Sequence, residues 1–235
     1  MQKNIFHMRQ VLILFFISIL FAGCNVSSEK RSDFSEGKLE YSIIYPKQLE
    51  NSGTTAFLPS EMTSYFKGDK VIMKIKGGFG LYKLEYISKA SGDTCFTLFK
   101  LFDKKMYYPM DNHQTLFVFK ELGEPHIKLY KDSIKMIAGF PCKKAVISFP
   151  GKKMPPINAY YTDMIGRKKP NIHTPFEKIP GVMMEFNFFY RTLSFKVIAQ
   201  KFSKLSVADS EFCIPAGYKE STEQEIETFI STLLQ

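Results

Sequence analysis

Short segments of alternating apolar and polar residues recur about every ten residues along the chain, and they constrain the fold more than any other feature. In the first of them, Leu39, Tyr41, Ile43 and Tyr45 alternate with mostly polar residues. A period of two places such apolar side chains on one face of a strand. One buried face and one polar face are typical of a strand in an antiparallel sheet.

Glycine, aspartate and asparagine residues separate these segments, as expected for the turns of an antiparallel meander that curls or closes. No long helical pattern lies between them, which argues against a parallel sheet. The 23 phenylalanines and 12 tyrosines also favour strands. Beyond residues 38–46, the predicted strands cover residues 71–75, 81–87, 95–102, 105–109, 115–120, 127–130, 134–138, 142–149, 157–162, 182–190, 192–201 and 212–215.

Two segments show helical spacing instead. Residues 59–66 begin with Pro59, and Met62, Tyr65 and Phe66 share one helical face, so the pattern predicts a short helix. The C-terminal segment opens with a possible capping box around Thr222 and then repeats apolar residues at helical intervals. That stripe predicts a helix packed on the sheet, formed by Ile226, Phe229, Ile230, Leu233 and Leu234.

The N-terminal residues 1–23 have the parts of an export signal, because basic residues precede an apolar run over residues 11–22. Small residues then stand directly before Cys24, which resembles the bacterial lipobox with Phe21 where leucine is usual. This predicts lipidation of Cys24 and a membrane tether. Residues 24–36 would form a flexible linker and residues 37–235 a single β-rich domain. A plain secretory signal cut near Gly23 and a buried apolar segment are the alternatives.

The net charge of the chain is +9, and it falls to +7 when Lys3 and Arg9 leave with the signal. A charge of this size favours anionic surfaces such as lipid headgroups, lipopolysaccharide or acidic glycans. Nucleic acid is not expected as a partner in an exported protein. The alternative is that the lysines only keep the surface soluble.

Cys95, Cys142 and Cys213 remain if Cys24 is lipidated. An exported protein can keep disulfides, but three thiols leave at least one without an intramolecular partner. We predict a bridge between Cys142 and Cys213.

Motifs that would mark chemistry are missing from the sequence. His113, His126 and His173 are far apart and lack the spacing of a zinc site, so we expect surface histidines, no metal and no cofactor. Neither a GxSxG elbow nor a marked pair of acid and base carboxyls is present. We therefore expect a protein that is not an enzyme.

Large apolar residues on the strand faces allow two interpretations. They fill a core, or they line a pocket for an apolar ligand on the inner face of a curved sheet. The candidate pocket residues are Tyr41, Ile43, Met184, Phe186, Phe188, Phe195 and Val197.

Four stretches together resemble a known pattern: residues 136–145 (MIAGFPCKKA), 160–163 (YYTD), 178–185 (KIPGVMME) and 212–219 (FCIPAGYK). They are similar to the uncharacterised exported proteins of Bacteroidota named for a Gly-Leu-Pro-Gly-Leu-Ile signature, with residues 179–182 in its place. The resemblance implies a LolA/LolB-like architecture, in which helices close an apolar cavity on an incomplete β-barrel.

The function predicted from these features is that of a lipid-anchored protein of the cell envelope, located at the outer membrane and facing the periplasm or the cell surface. It would bind a lipid or another apolar ligand without catalysis. The alternative is a structural or interaction lipoprotein whose basic surface engages an unknown envelope partner.

Overall fold

The alternating segments pair edge to edge in the computed structural model of the protein. The structure describes residues 34–47, 57–92, 94–111, 113–166, 169–191 and 193–233. Twelve strands within these ranges form one sheet. The predicted signal peptide, Cys24 and most of the predicted linker lie outside the described residues. Phe34, at the end of that linker, packs edge to face against Phe140 and Phe202, so the described fold already includes it.

The strands follow one another closely along the chain, and helix α1 comes after them. The elements are β1 (Glu36–Ile44), β2 (Glu61–Lys67), β3 (Lys70–Gly77), β4 (Tyr82–Lys89), β5 (Thr94–Leu101), β6 (Lys104–Asp111), β7 (His126–Ile137), β8 (Phe140–Ser148), β9 (Ile157–Thr162), β10 (Val182–Tyr190), β11 (Leu193–Ser203), β12 (Lys219–Glu220) and α1 (Glu223–Leu233).

The sheet joins two meanders through β1 and β11. Its order is β12-β6-β5-β4-β3-β2-β1-β11-β10-β9-β8-β7, and the neighbours are antiparallel except for β12 beside β6. Residues from opposite ends of the sheet share one core, since Phe99 and Met106 belong to the same buried cluster as Ala145 and Ile147. The sheet is therefore curved into an incomplete barrel, which confirms the predicted fold class.

The C-terminal segment wraps around one edge of this barrel. Phe212, Ile214 and Tyr218 pack on a buried cluster of Ile72, Ile87 and Leu98, which strand alternation places on the outer face. β12 then extends the edge of β6, and α1 follows it.

Helix α1 turns Ile226, Phe229 and Ile230 of its apolar stripe into the inner core, as its spacing predicts. Ile226 is fully buried there and Ile230 nearly so. The backbone N–H of Glu225 donates a hydrogen bond to Thr222 Oγ1 at 3.2 Å, which caps the helix. The packed C-terminal helix is thus confirmed.

The predicted helix at residues 59–66 is wrong, because residues 61–67 form β2. Met62 and Phe66 are four residues apart, a spacing that puts two side chains on one face of either a helix or a strand. The sheet decides between them, since β2 pairs along its length with β1 and with β3. An isolated helix of this length would be marginal in water.

Two predicted strands are also wrong. Residues 115–120 contain a 3₁₀ turn at Phe117–Phe119, with both phenylalanines buried. Residues 212–215 follow another 3₁₀ turn, Asp209–Phe212, and cross the outer face without joining the sheet. In both places the apolar residues are buried by tertiary packing and not by strand pairing.

The predicted bridge between Cys142 and Cys213 is wrong, because both thiols are free. Cys142 is fully buried in the core, while Cys213 is exposed on the outer segment. Burial raises the pKa of the Cys142 thiol to about 12. Its Sγ donates a hydrogen bond to the Phe140 carbonyl at 3.3 Å.

A buried carboxylate links two strands that are distant in sequence. The carboxylate of Glu185 on β10 forms ion pairs with Lys135 of β7 and with Lys196 of β11, the latter at 2.8 Å. Burial disfavours its charge, but the hydrogen bonds from the two lysines outweigh this effect and hold its pKa below the usual value.

Candidate apolar cavity

A cavity of about 230 Å³ lies on the concave face of the sheet. Strands β1 to β4, β10 and β11 supply most of its wall. Because alternate residues of each strand point to the same face, one row from every strand lines it. The inner rows include Tyr41 and Ile43 of β1, Met73 and Ile75 of β3, and Val197 of β11.

Six of the seven residues proposed for the pocket line this one cavity. They are Tyr41, Ile43, Phe186, Phe188, Phe195 and Val197. The seventh, Met184, is fully buried in the adjoining core with Leu39 and Cys142.

A register shift explains the place of Met184. The pairing of β10 with β9 is irregular between Met183 and Glu185, so an extra residue enters β10 there. Simple alternation therefore fails at this point, and Met183 lines the cavity instead.

Stacked aromatic rings form one wall of the cavity. The rings of Phe188 and Phe195 are nearly parallel, with centroids 4.9 Å apart. Phe119 meets Phe188 edge to face at 5.1 Å, and Tyr45 lies 5.5 Å from Phe195. Such ring pairs add stabilisation beyond the area they bury, which holds this wall in shape.

Three of the tyrosine hydroxyls in the lining donate hydrogen bonds to backbone carbonyls. Tyr45 donates to Pro59 at 2.8 Å, Tyr82 to Phe57 at 3.2 Å and Tyr41 to Met183 at 3.3 Å. Burial raises the pKa of Tyr82 to about 12, so its phenol is neutral at physiological pH. The rings are then left to offer their apolar surface to the cavity.

Glu85 is the acidic residue next to the cavity, but strand alternation places its carboxylate on the outer face of β4 together with Lys83. One carboxylate oxygen lies 2.7 Å from Lys83 Nζ, on the outer face by strand alternation. The cavity can therefore hold an apolar group without burying an unpaired charge.

A loop over residues 169–181 and the 3₁₀ turn at Phe117–Phe119 cover the open side. Asn171 fixes the loop by donating from Nδ2 to the carbonyls of Ile179 at 2.9 Å and Gly181 at 3.0 Å. Ile172 and Phe176 reach the cavity from this loop. This loop is not among the pocket residues predicted from the sequence. The sequence signal for its burial is the set of apolar residues Ile172, Phe176 and Ile179.

His173 belongs to this loop and is buried, so the expectation of a surface histidine is wrong for it. Its side chain is 4% exposed, and its Nδ1 lies 3.1 Å from the Gln114 carbonyl. Burial lowers the pKa of His173, although the contact with Gln114 acts in the other direction. The imidazole is therefore neutral near pH 7. His113 and His126 are exposed.

Among the residues that the structure describes, no group of three or more histidine, cysteine or acidic residues is placed to hold a metal ion. In that same part of the chain, no helix has the length and apolar character needed to cross a membrane.

Neither a protein-family model nor a curated protein matches the chain. Among solved structures, the chain is similar to lipoprotein LppX of Mycobacterium tuberculosis, with 10% identity, a TM-score of 0.35, and 74% of this chain and 90% of that chain covered. It is also similar to LprF from Mycobacterium bovis, with 11% identity, a TM-score of 0.29, and 78% and 91% covered.

A β-barrel-like protein of a domain of unknown function from Brucella abortus gives 8% identity and a TM-score of 0.30, with 74% of this chain and 100% of that chain covered. The fold assignment rests on the strand pairing described above and not on these similarities. The resemblance to the Gly-Leu-Pro-Gly-Leu-Ile proteins stays a prediction.

Proposed function

We propose that this protein binds the apolar part of a lipid or a similar small molecule in the cavity and acts without catalysis. The observation that carries the proposal is a partly open apolar space of about 230 Å³ on the concave face of the sheet, next to a buried apolar core. Concave spaces that are lined mostly by apolar and aromatic side chains are typical of small-molecule sites, so this space supports an apolar ligand.

The size of the cavity fits one acyl chain segment or one ring system. An apolar cavity of about 150 Å³ stays dry and admits benzene. The present cavity is larger and also apolar, and its aromatic wall of Phe188 and Phe195 would contact methylene groups along their length.

Lipidation of Cys24 would hold the domain at a membrane of the cell envelope, and the outer membrane is our proposal for it. The small residues before Cys24 and the apolar run before them support the anchor. Cells fed radiolabelled palmitate should incorporate the label into the wild-type protein and not into Cys24→Ser. Equal labelling of both would rule out this anchor.

Uptake of radiolabelled hexadecanoic acid by the chain from residue 33 onward tests the binding function. Residues 33–235 form a compact unit with their own core, so this part can be studied alone. Ser64, which is 4% exposed and lines the cavity, should lose uptake when changed to leucine, because the added side chain occupies the space.

Ser42→Leu is the matched control, because Ser42 lies one residue after Tyr41 on the opposite face of β1. It should bind the fatty acid as the wild type does. Absence of uptake by the folded wild-type chain, or equal uptake by Ser64→Leu, would contradict the proposal.

Contact with an envelope partner is a second candidate function, favoured by the end strand β7. Ile134 and Met136 are 61% and 63% exposed there, with Lys128 and Lys131 nearby. Exposed apolar residues on an end strand are a common protein-docking feature. Changing Ile134 and Met136 to lysine should abolish crosslinking of the protein to a partner in cells. Leu205→Lys, on another exposed segment, should leave the crosslinking unchanged.

A further inference from the structure

A second cavity, of about 510 Å³, adjoins the apolar one. The two share Phe117, Val118 and Tyr190 in their linings, so they lie on either side of these three side chains. The rings of Phe117 and Tyr190 meet edge to face with centroids 6.4 Å apart. Side-chain rotation at this partition would connect the two spaces into one elongated site.

The second cavity differs from the first in its charge. Lys152, Lys153 and Arg191 line it together with Glu121 and Glu227. Arg191 already has an acidic partner, since its guanidinium lies 3.7 Å from Glu227. The structure gives neither lysine an ion-pair partner among the residues that it describes. Two exposed ammonium groups are thus available at the mouth of this cavity.

Tyr190 carries a buried hydroxyl at the boundary between the apolar and the basic space. Its side chain is 8% exposed, and the hydroxyl has no hydrogen-bond partner within the described part of the chain. A buried polar group without a partner is costly, and native proteins rarely keep one without a reason. A polar atom of a ligand that crosses the partition would satisfy it.

Building on the proposed function, we infer that the ligand is an amphiphile with an anionic headgroup. Its chain occupies the apolar cavity, and its phosphate or carboxylate lies in the second cavity beside Lys152 and Lys153. The hydroxyl of Tyr190 hydrogen-bonds the ester or glycerol oxygens between them. This arrangement matches each part of the molecule to groups of the complementary chemistry.

Two lipids that differ only in the phosphate test the inference. Palmitoyl lysophosphatidic acid and monopalmitoylglycerol share a chain and a glycerol, and native mass spectrometry below their micelle-forming concentrations measures both affinities for residues 33–235. We expect the phosphate lipid to bind about tenfold more tightly, about threefold for each exposed lysine. Added salt should weaken only the phosphate lipid.

The variant Lys152→Gln/Lys153→Gln should remove this preference and leave monopalmitoylglycerol binding unchanged. Lys76→Gln/Lys204→Gln, which alters two exposed lysines outside both linings, is the matched control and should keep the preference. Tyr190→Phe keeps the ring of the partition and should weaken both lipids about threefold through the lost hydrogen bond.

The outcomes separate this inference from the function on which it rests. Equal affinities for the two lipids, or a preference that survives the double lysine change, would overturn the headgroup site and leave apolar binding standing. Failure of both lipids to bind would overturn both. Full displacement of the phosphate lipid by excess inorganic phosphate would identify free phosphate as the ligand of the second cavity and overturn the lipid inference.

Discussion

Changing Ser64 to leucine should make the protein more stable while it removes ligand binding. Ser64 lies on the inner face of β2, opposite Leu39 and Met73, and its side chain borders the open space. Burying a leucine side chain contributes about 1.5–3 kcal/mol. Loss of rotamer freedom offsets about 0.5–1 kcal/mol of this, which leaves a gain of about 0.5–2.5 kcal/mol.

The sign of this change separates a cavity from a filled core. Ala145 is fully buried in the main cluster and lies outside the cavity lining, so Ala145→Leu has no space to enter. Overpacking of that kind costs about 1–3 kcal/mol. Because the chain has no tryptophan, urea unfolding of the delipidated protein is best followed by far-ultraviolet circular dichroism. Similar destabilisation by both variants would refute the reasoning.

Three further predictions concern the rest of the fold. Glu185→Gln should lower the free energy of unfolding by about 2 kcal/mol at pH 7, because it removes charged hydrogen bonds to two lysines. In a thiol-labelling time course, Cys213 should react with iodoacetamide in the folded protein, and Cys142 only after unfolding, because its thiol is buried with a raised pKa. Gly181→Ala should destabilise the fold in urea titrations, because a Cβ there would lie 2.4 Å from the carbonyl oxygen of Thr162.

The pH dependence of the Glu185 contribution has a definite sign. Its folded pKa is lowered, so the stabilisation is present above its ordinary value of 4.5 and is lost as the pH falls through the folded pKa. The difference between wild type and Glu185→Gln should therefore shrink in acid. A difference that stays constant down to acid denaturation would contradict the ion-pair assignment.

Controls for the other two predictions use the protein itself. Labelling in urea should modify Cys142 as fast as Cys213, and equal rates in the folded state would show that Cys142 is accessible. Gly92→Ala, where φ is not in the left-handed region and an added Cβ would come no closer than 3.4 Å to its neighbours, separates steric clash from simple loss of a glycine. An effect of Gly181→Ala no larger than that of Gly92→Ala would argue against the close contact.

Period-two alternation was sufficient to predict most of the sheet and much of the cavity wall. Tyr41, Ile43, Phe186 and Val197 come together because each follows the strict alternation of its strand, and strand pairing aligns the rows. The helix α1 was equally predictable, since its apolar residues repeat at helical spacing over a whole segment.

The missed features depend on contacts that no local pattern encodes. Met62 and Phe66 suit either a helix or a strand, and only the two neighbouring strands select the strand. The insertion between Met183 and Glu185 moves Met184 out of the lining, and a bulge has no signature in a run of apolar residues. The position of the loop over residues 169–181 depends on hydrogen bonds from the Asn171 side chain to the carbonyls of Ile179 and Gly181.

Native mass spectrometry of the chain from residue 33 onward, exported from a bacterial host and purified without detergent, tests the central claim most directly. Our account predicts a mass above that of the polypeptide, with an acyl lipid recovered by solvent extraction from the wild type and from Ser42→Leu but not from Ser64→Leu. A folded wild-type protein at its bare calculated mass, which also fails to take up added lysophosphatidic acid or hexadecanoic acid, would contradict it.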